Sequence, residues 1–321
     1  MNKTTIVIVS WNTRDYLRSC LQSLETAGVT ETAEIVVVDN ASSDGSQEMI
    51  KSQFPFVSLQ ALDRNVGFAA ANNRAMRFAK TPYILLLNPD TEVVGQAVQE
   101  LVSFMDRRPE VWAAGPLFLN SDRTPQRTGV RFPSVWNLIV ETLFLDRLFA
   151  RSRLFGRHKE LYVDDTRPRA VDYVQGACLI VRSYMVLPNV GLLDDKYFVY
   201  FEETDWCYRM KKIGGQVWIC PYATVVHHGG GAEGHFDRKR VIYYHQGLFR
   251  YARKHCSLLK RGAIRVVIFM RSLLRIFTWG ATIVIRPSMR KMAFSTLRGY
   301  LRVLPLCFMP VAKREEEHPP S

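Results

Sequence analysis

Apolar β-branched runs and amphipathic stretches alternate along residues 4–93. "TTIVIVSW" (4–11) predicts a buried strand, and "RDYLRSCLQSLETAG" (14–28) predicts a helix of 3.6-residue period closed by a glycine. "AEIVVVDNASSDGS" (33–46) reads as a second strand opening into a turn-rich loop with a helix after it, and "FVSLQALDRN" (56–65) as a third strand. "VGFAAANNRAMRFAK" (66–80) predicts a helix that begins at a glycine. "YILLLNPDTEV" (83–93) predicts a fourth strand with Asn88 and Asp90 at its carboxyl end. Strands alternating with helices imply βαβ crossovers and a parallel sheet. In such sheets ligands bind outside the carboxyl ends of the strands, where three polar clusters fall together: residues 10–12, 39–46 and 88–90.

Beyond Gly115 the pattern loosens. Residues 121–170 are rich in Arg, Pro and Asp, as expected of a mobile substrate loop. "VDYVQGACLIVRS" (171–183) reads as a further strand, followed by "FVYFEETDWCYR" (198–209) and "GGQVWICPYATVVHHGGG" (214–231). The segment 198–209 sets Glu202, Glu203 and Asp205 among Phe198, Tyr200, Phe201, Trp206 and Tyr208. Either these acids lie on a surface helix beside a buried strand, or the aromatics wall a site in which one acid works.

With 321 residues, 47% hydrophobic and 23% charged, the chain is long enough for a large core and is not of disordered composition. Its net charge of +13 is unevenly placed: residues 238–314 hold 18 of the 43 basic residues and none of the 30 acidic ones. A mildly acidic body thus carries a strongly basic tail, which points to an anionic partner. Six scattered cysteines, with no CxxC pair, read as free thiols of a reducing compartment. The opening "MNKTTIVIVSWN" has too short an apolar run for a signal peptide, so the expected place is the cytoplasm.

Each chemical feature also has a plainer reading. Asp39, at a strand tip, suits either a helix cap or a carboxylate that accepts hydrogen bonds from a nucleotide base or ribose. "NPD" (88–90) makes a good turn, yet an Asp at a strand tip beside a diphosphate is also a common way to hold a hard divalent cation. No GxGxxG and no GxxxxGK[ST] occurs, which argues against dehydrogenases and P-loop NTPases. His227 is a metal or phosphate group if it points inward, and a solvated imidazole otherwise.

"VIVSWN", "VVVDNASSDGS", "NVGFAAANN", "LLLNPDTEV", "VQGACLIVR", "YFEETDWCYR" and "VVHHGGG" follow the order and spacing of family 2 inverting glycosyltransferases of the GT-A fold. Over about residues 4–257 the chain resembles the bacterial rhamnosyltransferase-like branch of that family. The resemblance implies a Rossmann-like, mostly parallel sheet flanked by helices, with residues 1–257 as the catalytic domain. It implies that Asp39 contacts the base of a nucleotide-sugar, that Asn65 and Asn72 sit near ribose and phosphates, and that Ser10, Asn12, Gly67, Asn88 and Gly176 complete the donor site. It further implies that Asp90 and His227 hold Mg2+ or Mn2+, and that Glu203, with Glu202 and Asp205, forms the catalytic group, Glu203 being the base. The chain departs from the common pattern twice: Asn88 stands where many relatives have the first Asp of a DxD pair, and Glu202–Glu203 where many have Glu-Asp. The implied donor is dTDP-L-rhamnose, and the implied acceptor a polyprenyl-diphosphate-linked saccharide for cell-surface polysaccharide.

Residues 258–321 lie outside the resemblance. Their longest uncharged runs, 276–285 and 303–312, are below the roughly 20 residues that span a bilayer. On a helical wheel Lys260, Arg261, Arg265, Arg271 and Arg275 share an arc of about 140°, with Val266, Phe269, Met270, Leu273, Leu274 and Phe277 opposite. This predicts a basic amphipathic helix lying on an anionic membrane surface, on the cytoplasmic face of a bacterial inner membrane, or else packed on its own domain. Two other readings remain: a nucleotidyltransferase, and a non-catalytic module using the basic tail on nucleic acid. No recognised nucleic-acid motif occurs, so nucleic acid is not the expected partner.

Overall fold

The computed structural model describes residues 3–126, 128–149, 151–152, 154–156, 167–229 and 238–309. They form two compact units: one from residues 1–132, 163–195 and 202–232, the other from residues 133–162, 196–201 and 233–321.

The first unit is α/β. Strand β1 (Thr4–Ser10) leads through α1 (Arg14–Thr26) to β2 (Ala33–Asp39), then α2 (Ser46–Gln53), β3 (Val57–Ala61), α3 (Phe68–Met76) and β4 (Tyr83–Leu87). All four strands are parallel neighbours, in the order β3-β2-β1-β4. Ile6, Val7, Ile8 and residues 84–87 are buried because both sheet faces are covered, which is why these strands read as unbroken apolar runs. Register sets the polar tips level: Ser10 pairs with Asp39, and Ile8 with Leu87 just before Asn88.

The expected fourth strand divides. After β4 the chain turns at Asn88-Pro89-Asp90 and enters β5 (Thr91–Val94), which pairs antiparallel with a distant strand. Pro89 has no N–H for a ladder, and the Asn88 N–H donates to Ala177 O at 2.8 Å. Next come α4 (Ala97–Asp106), β6 (Val111–Leu119) and the short β7 (Pro125–Gln126) and β8 (Gly129–Val130). The two short helices α5 (Val135–Thr142) and α6 (Leu145–Leu148) belong to the other unit. The described part of 121–170 is thus largely structured, where the sequence suggested a loop; residues 127, 150, 153 and 157–166 lie outside the described residues. The α/β unit resumes with β9 (Arg169–Val171), β10 (Tyr173–Val174), β11 (Cys178–Arg182), α7 (Ser183–Val190), α8 (Glu202–Lys212) and β12 (Gln216–His227). The sheet continues β4-β11-β6-β12-β5, with β11 antiparallel to both neighbours, so its second half is mixed.

The second unit is helical: α5 and α6 with α9 (Arg238–His255), α10 (Leu258–Ile285) and α11 (Arg290–Leu306). A division at residue 257 falls between α9 and α10, whereas α9 packs against both α10 and α11. Helix α10 is 28 residues long, about 42 Å at 1.5 Å per residue, and is long and apolar enough to cross a membrane by length and composition. Counting uncharged runs missed this, because the arginines that interrupt them do not interrupt the helix. Nor do those arginines all face outward. Arg271 is buried and donates to Thr142 Oγ1 (2.9 Å), Leu138 O (3.0 Å) and Glu141 Oε2 (3.1 Å). Arg275 lies over the Phe144 ring at 4.2 Å. The exposed stripe of α10 is instead Val266, Met270, Leu273 and Phe277. Helix α11 completes the described part of the basic tail, and residues 310–321 lie outside the described residues.

Candidate active site

The loops after β1 and β2 are laced together. Asn12, in the left-handed region at φ 52°, donates its N–H to Ser42 Oγ (3.0 Å) and accepts the Ser43 N–H at Oδ1 (2.8 Å). Arg14 N–H donates to Asp44 Oδ2 at 2.8 Å, and Ser10 Oγ meets Thr13 Oγ1 at 2.9 Å. Asn12 and Ser10 therefore act here as loop braces. Asp39 is fully buried at the tip of β2; its Oδ1 accepts from Ser42 N (3.0 Å) and Gln47 Nε2 (2.7 Å).

The turn before α3 hangs on a side chain that the sequence did not single out. Asn40, also buried, donates to Asn65 Oδ1 (2.8 Å) and accepts from Val66 N (2.8 Å), while Asn65 Oδ1 takes the Gly67 N–H at 2.9 Å. Gly67 caps α3 with φ 86°, a conformation that costs glycine little and other residues much. Asn72 donates to Phe68 O at 2.9 Å. A polar groove of about 370 Å³ borders this turn, with Asp63, Arg64 and Arg74 in its lining.

Among the buried oxygens without a hydrogen-bond partner within the described residues are Asp39 Oδ2, Asn72 Oδ1, Asn88 Oδ1 and Glu202 Oε2; Gln99 Oε1, on α4, is another. Leaving such an atom unmet costs about 1–3 kcal/mol, so a group of acceptors around the carboxyl ends of a sheet marks a place where a ligand supplies donors.

Glu202 and Glu203 open α8, whose N-terminal dipole favours negative charge. Glu202 is buried; desolvation, and then the charge of Glu203, push its carboxyl well above the ordinary carboxylate range. Glu203 is half-buried and packs on Gly176: a Cβ added there would meet Glu203 Cβ at 3.5 Å and Phe68 Cε1 at 3.9 Å. The β10–β11 turn, the start of α3 and the start of α8 therefore meet at Glu203. Just before the pair, Tyr200 and Phe201 have φ of 69° and 73°, a strained backbone of the kind that persists at functional sites.

Asp205 is placed differently. It is fully buried, and Arg209 Nε donates to its Oδ2 at 2.8 Å, while the same guanidinium donates to Val190 O and to Leu192 O (2.8 Å). That pair fixes the end of α7 to α8. The aromatics do not wall the acids as a set either. Trp206 is a core residue whose indole donates to Gly191 O at 2.8 Å. Phe198 packs on Tyr243 (4.9 Å) and Phe201 on Tyr244 (5.2 Å), both on α9.

Asp90 and His227 come together because Thr91 pairs with His227 across β5 and β12. Their Oδ2 and Nε2 stand 3.7 Å apart. Gln126, another side chain the sequence reading passed over, sets the ring: its Nε2 donates to His227 O (3.2 Å) and Asn120 Oδ1 (3.0 Å), which turns its Oε1 to His227 Nδ1 at 2.8 Å. That contact turns Nε2 towards Asp90, the way a partner on one ring nitrogen orients an imidazole to ligate through the other. Among the described residues no group of three His, Cys, Asp or Glu is placed to hold an ion. Asp90 and His227 offer one carboxylate and one imidazole, a donor pair compatible with a divalent cation that completes its ligands from a bound diphosphate. All six cysteines are free thiols, as expected.

A sheet with parallel strands β1–β4, polar tips set level and an acid pair at a helix start is the GT-A architecture of nucleotide-sugar-dependent glycosyltransferases. The mannosyltransferase PcManGT from Pyrobaculum calidifontis, solved with GDP-Man and Mn2+, superposes with a TM-score of 0.57 over 95% of this chain and 86% of its own, at 14% identity. The family model described as glycosyl transferase family 2 matches residues 5–170, and the chain belongs to that family. It is similar to N-acetylglucosaminyl-diphospho-decaprenol L-rhamnosyltransferase of Mycobacterium tuberculosis, 24% identical over 271 residues, 81% of this chain and 87% of the relative. Rhamnosyltransferase WbbL of Escherichia coli K12 is likewise 24% identical over 270 residues, 81% and 97% of the two chains.

Proposed function

We propose that this glycosyltransferase moves L-rhamnose from dTDP-L-rhamnose onto a polyprenyl-diphosphate-linked saccharide, with inversion, in cell-surface polysaccharide synthesis. The observation that carries the reading is that Asp39 Oδ2 and Asn88 Oδ1 at two strand tips, Asn72 Oδ1 on α3 and Glu202 Oε2 at the start of α8 are buried without a hydrogen-bond partner. A base imide N–H and ribose hydroxyls are donors of the kind these acceptors lack. The sugar and acceptor are supported by what the similar proteins are named for.

In this reading Asp39 binds the base, and Asn72, with the Asn65–Gly67 turn, borders the ribose and phosphates. Asp90 and His227 would hold Mg2+ or Mn2+, whose chemistry when bound is to offset negative charge on the leaving diphosphate. Glu203 takes the proton of the acceptor hydroxyl as its oxygen attacks the anomeric carbon and the bond to the diphosphate breaks. Burial, and then the charge of Glu203, push the Glu202 carboxyl up, so of the pair Glu203, which packs on Gly176 beside the start of α3, is the one assigned as base. Asp205 positions α8 through Arg209. Residues 258–321 attach the enzyme to the cytoplasmic face of the bacterial inner membrane without crossing. In support, Arg271 at the middle of α10 is bonded inside the helical unit, and an apolar stripe on the same helix is exposed.

The test is a screen of nucleotide-sugars against a lipid-diphosphate-linked saccharide, scoring the nucleotide released and the anomeric configuration of the product. Release of dTDP with an inverted linkage is expected. Pyrophosphate release would make the protein a nucleotidyltransferase, and a retained configuration would remove Glu203 as base.

A further inference from the structure

The helical unit holds a groove of about 630 Å³ that plays no part in the chemistry above. Arg238 and Lys239 of α9 and Arg290, Lys291 and Arg298 of α11 line it, and Ile283 and Phe294 form its apolar wall. No acidic residue occurs anywhere along 238–309, so helices α9–α11 themselves supply no carboxylate to Arg238, Arg290, Lys291 and Arg298. Confining like charges in one concavity is unfavourable without an anion to face them.

The groove is also built in place. Arg290 Nε donates to Ile283 O at 2.9 Å, and the Arg298 guanidinium lies over the Phe294 ring at 4.7 Å. Arg238 N–H donates to Ser295 Oγ at 3.2 Å. Gly299 lets α11 close on α9: a Cβ there would stand 3.0 Å from Val241 Cβ and 3.3 Å from Arg238 O. Val284 and Ile285, next in sequence to Ile283, are among the most exposed apolar residues.

We propose that this groove binds the diphosphate of a polyprenyl-diphosphate lipid, with the chain leaving along Ile283 and Phe294. Arg238, Arg290, Lys291 and Arg298 suit an anion of several negative charges better than a phosphodiester headgroup of one charge. A short groove with an apolar wall also differs from the extended basic track of a nucleic-acid site. The proposal rests on the lipid-linked acceptor of the preceding section.

The experiment is flotation of the full-length protein, without donor, on three vesicles: phosphatidylcholine alone, phosphatidylcholine with phosphatidylglycerol, and phosphatidylcholine with polyprenyl diphosphate at the same surface charge. Binding to the diphosphate vesicles is expected to be at least about tenfold tighter than to phosphatidylglycerol vesicles. Replacing Arg290, Lys291 and Arg298 by Gln together should bring that ratio close to one. Arg298→Gln and Phe294→Ala alone should each lower it, and serve if the triple variant is unfolded by circular dichroism. Equal wild-type binding to the two charged vesicles would make the groove a general anionic surface and overturn the proposal, as would a ratio unchanged in all variants. The proposed reaction is tested separately, by wild-type turnover on a short water-soluble acceptor: no turnover there, with selective vesicle binding intact, overturns the reaction and leaves the site standing.

Discussion

Replacing Asp205 by Asn separates a positioning acid from a catalytic one. Asp205 is fully buried, and its carboxylate meets Arg209, whose side chain keeps 22% exposure. Breaking a buried ion pair by removing one partner costs about 3–5 kcal/mol. Arg209 retains the Val190 and Leu192 carbonyls and some water, which puts the loss at the lower end, about 3 kcal/mol. At about 2–4 °C per kcal/mol for a unit of this size, Tm should fall by about 6–12 °C. Scanning calorimetry reads the shift, and kcat, measured well below the lowered Tm, should stay within about threefold of wild type. The opposite pattern, an unmoved Tm with kcat down a hundredfold or more, would refute the assignment and put Asp205 at the reacting atoms.

Glu203→Gln should give that opposite pattern: kcat lower by about 10²–10⁴ with donor affinity and Tm held, read by steady-state kinetics and calorimetry. If Glu203→Gln is near wild type while Glu202→Gln is dead, the base is the neighbouring residue. Glu202→Gln should otherwise keep activity at pH 7. A carboxyl whose pKa is raised by folding loses stability as pH rises through that pKa, so the variant should show a flatter fall of Tm from pH 4.5 upward; an unchanged slope counts against the buried neutral carboxyl. His245 has the reverse sign. Burial lowers it from 6.5 to about 4, with Arg271 lowering and Glu141 raising, so stability should drop by about 3 kcal/mol as pH falls across that window. His245→Phe should abolish that dependence in acid melts. Gln126→Leu frees the ring of His227 and should raise the Mg2+ or Mn2+ concentration for half-maximal activity about 10–100-fold; full turnover of wild type in excess chelator would remove the cation altogether.

The sequence by itself determined the first four strands, the helix starting after Gly67 and the polar tips at Ser10, Asp39 and Asn88. Strands buried on both faces write themselves as continuous apolar runs, and a parallel sheet puts their carboxyl ends on one side. It also determined that the basic excess is confined to residues 238–314. Only tertiary structure decided the rest. An apolar run carries no strand direction, so the antiparallel setting of β11 was invisible. Splitting "YILLLNPDTEV" depended on the pairing of Thr91 with His227, contributed from 136 positions away, and that pairing is also what brings Asp90 to the imidazole. Asn40 and Gln126 act through partners remote in the chain, and nothing in their local pattern marks them. Asp205 reads in the sequence as a third catalytic acid, and its ion pair with Arg209 is set by the fold. In α10 the helical wheel placed the arginines together correctly, but which side faces water depends on what packs there. Glu141 and Phe144 draw Arg271 and Arg275 inward, so Val266, Met270, Leu273 and Phe277 are left outside. A helical wheel gives the angle between residues on one helix; only the neighbouring helices set which side of it is buried.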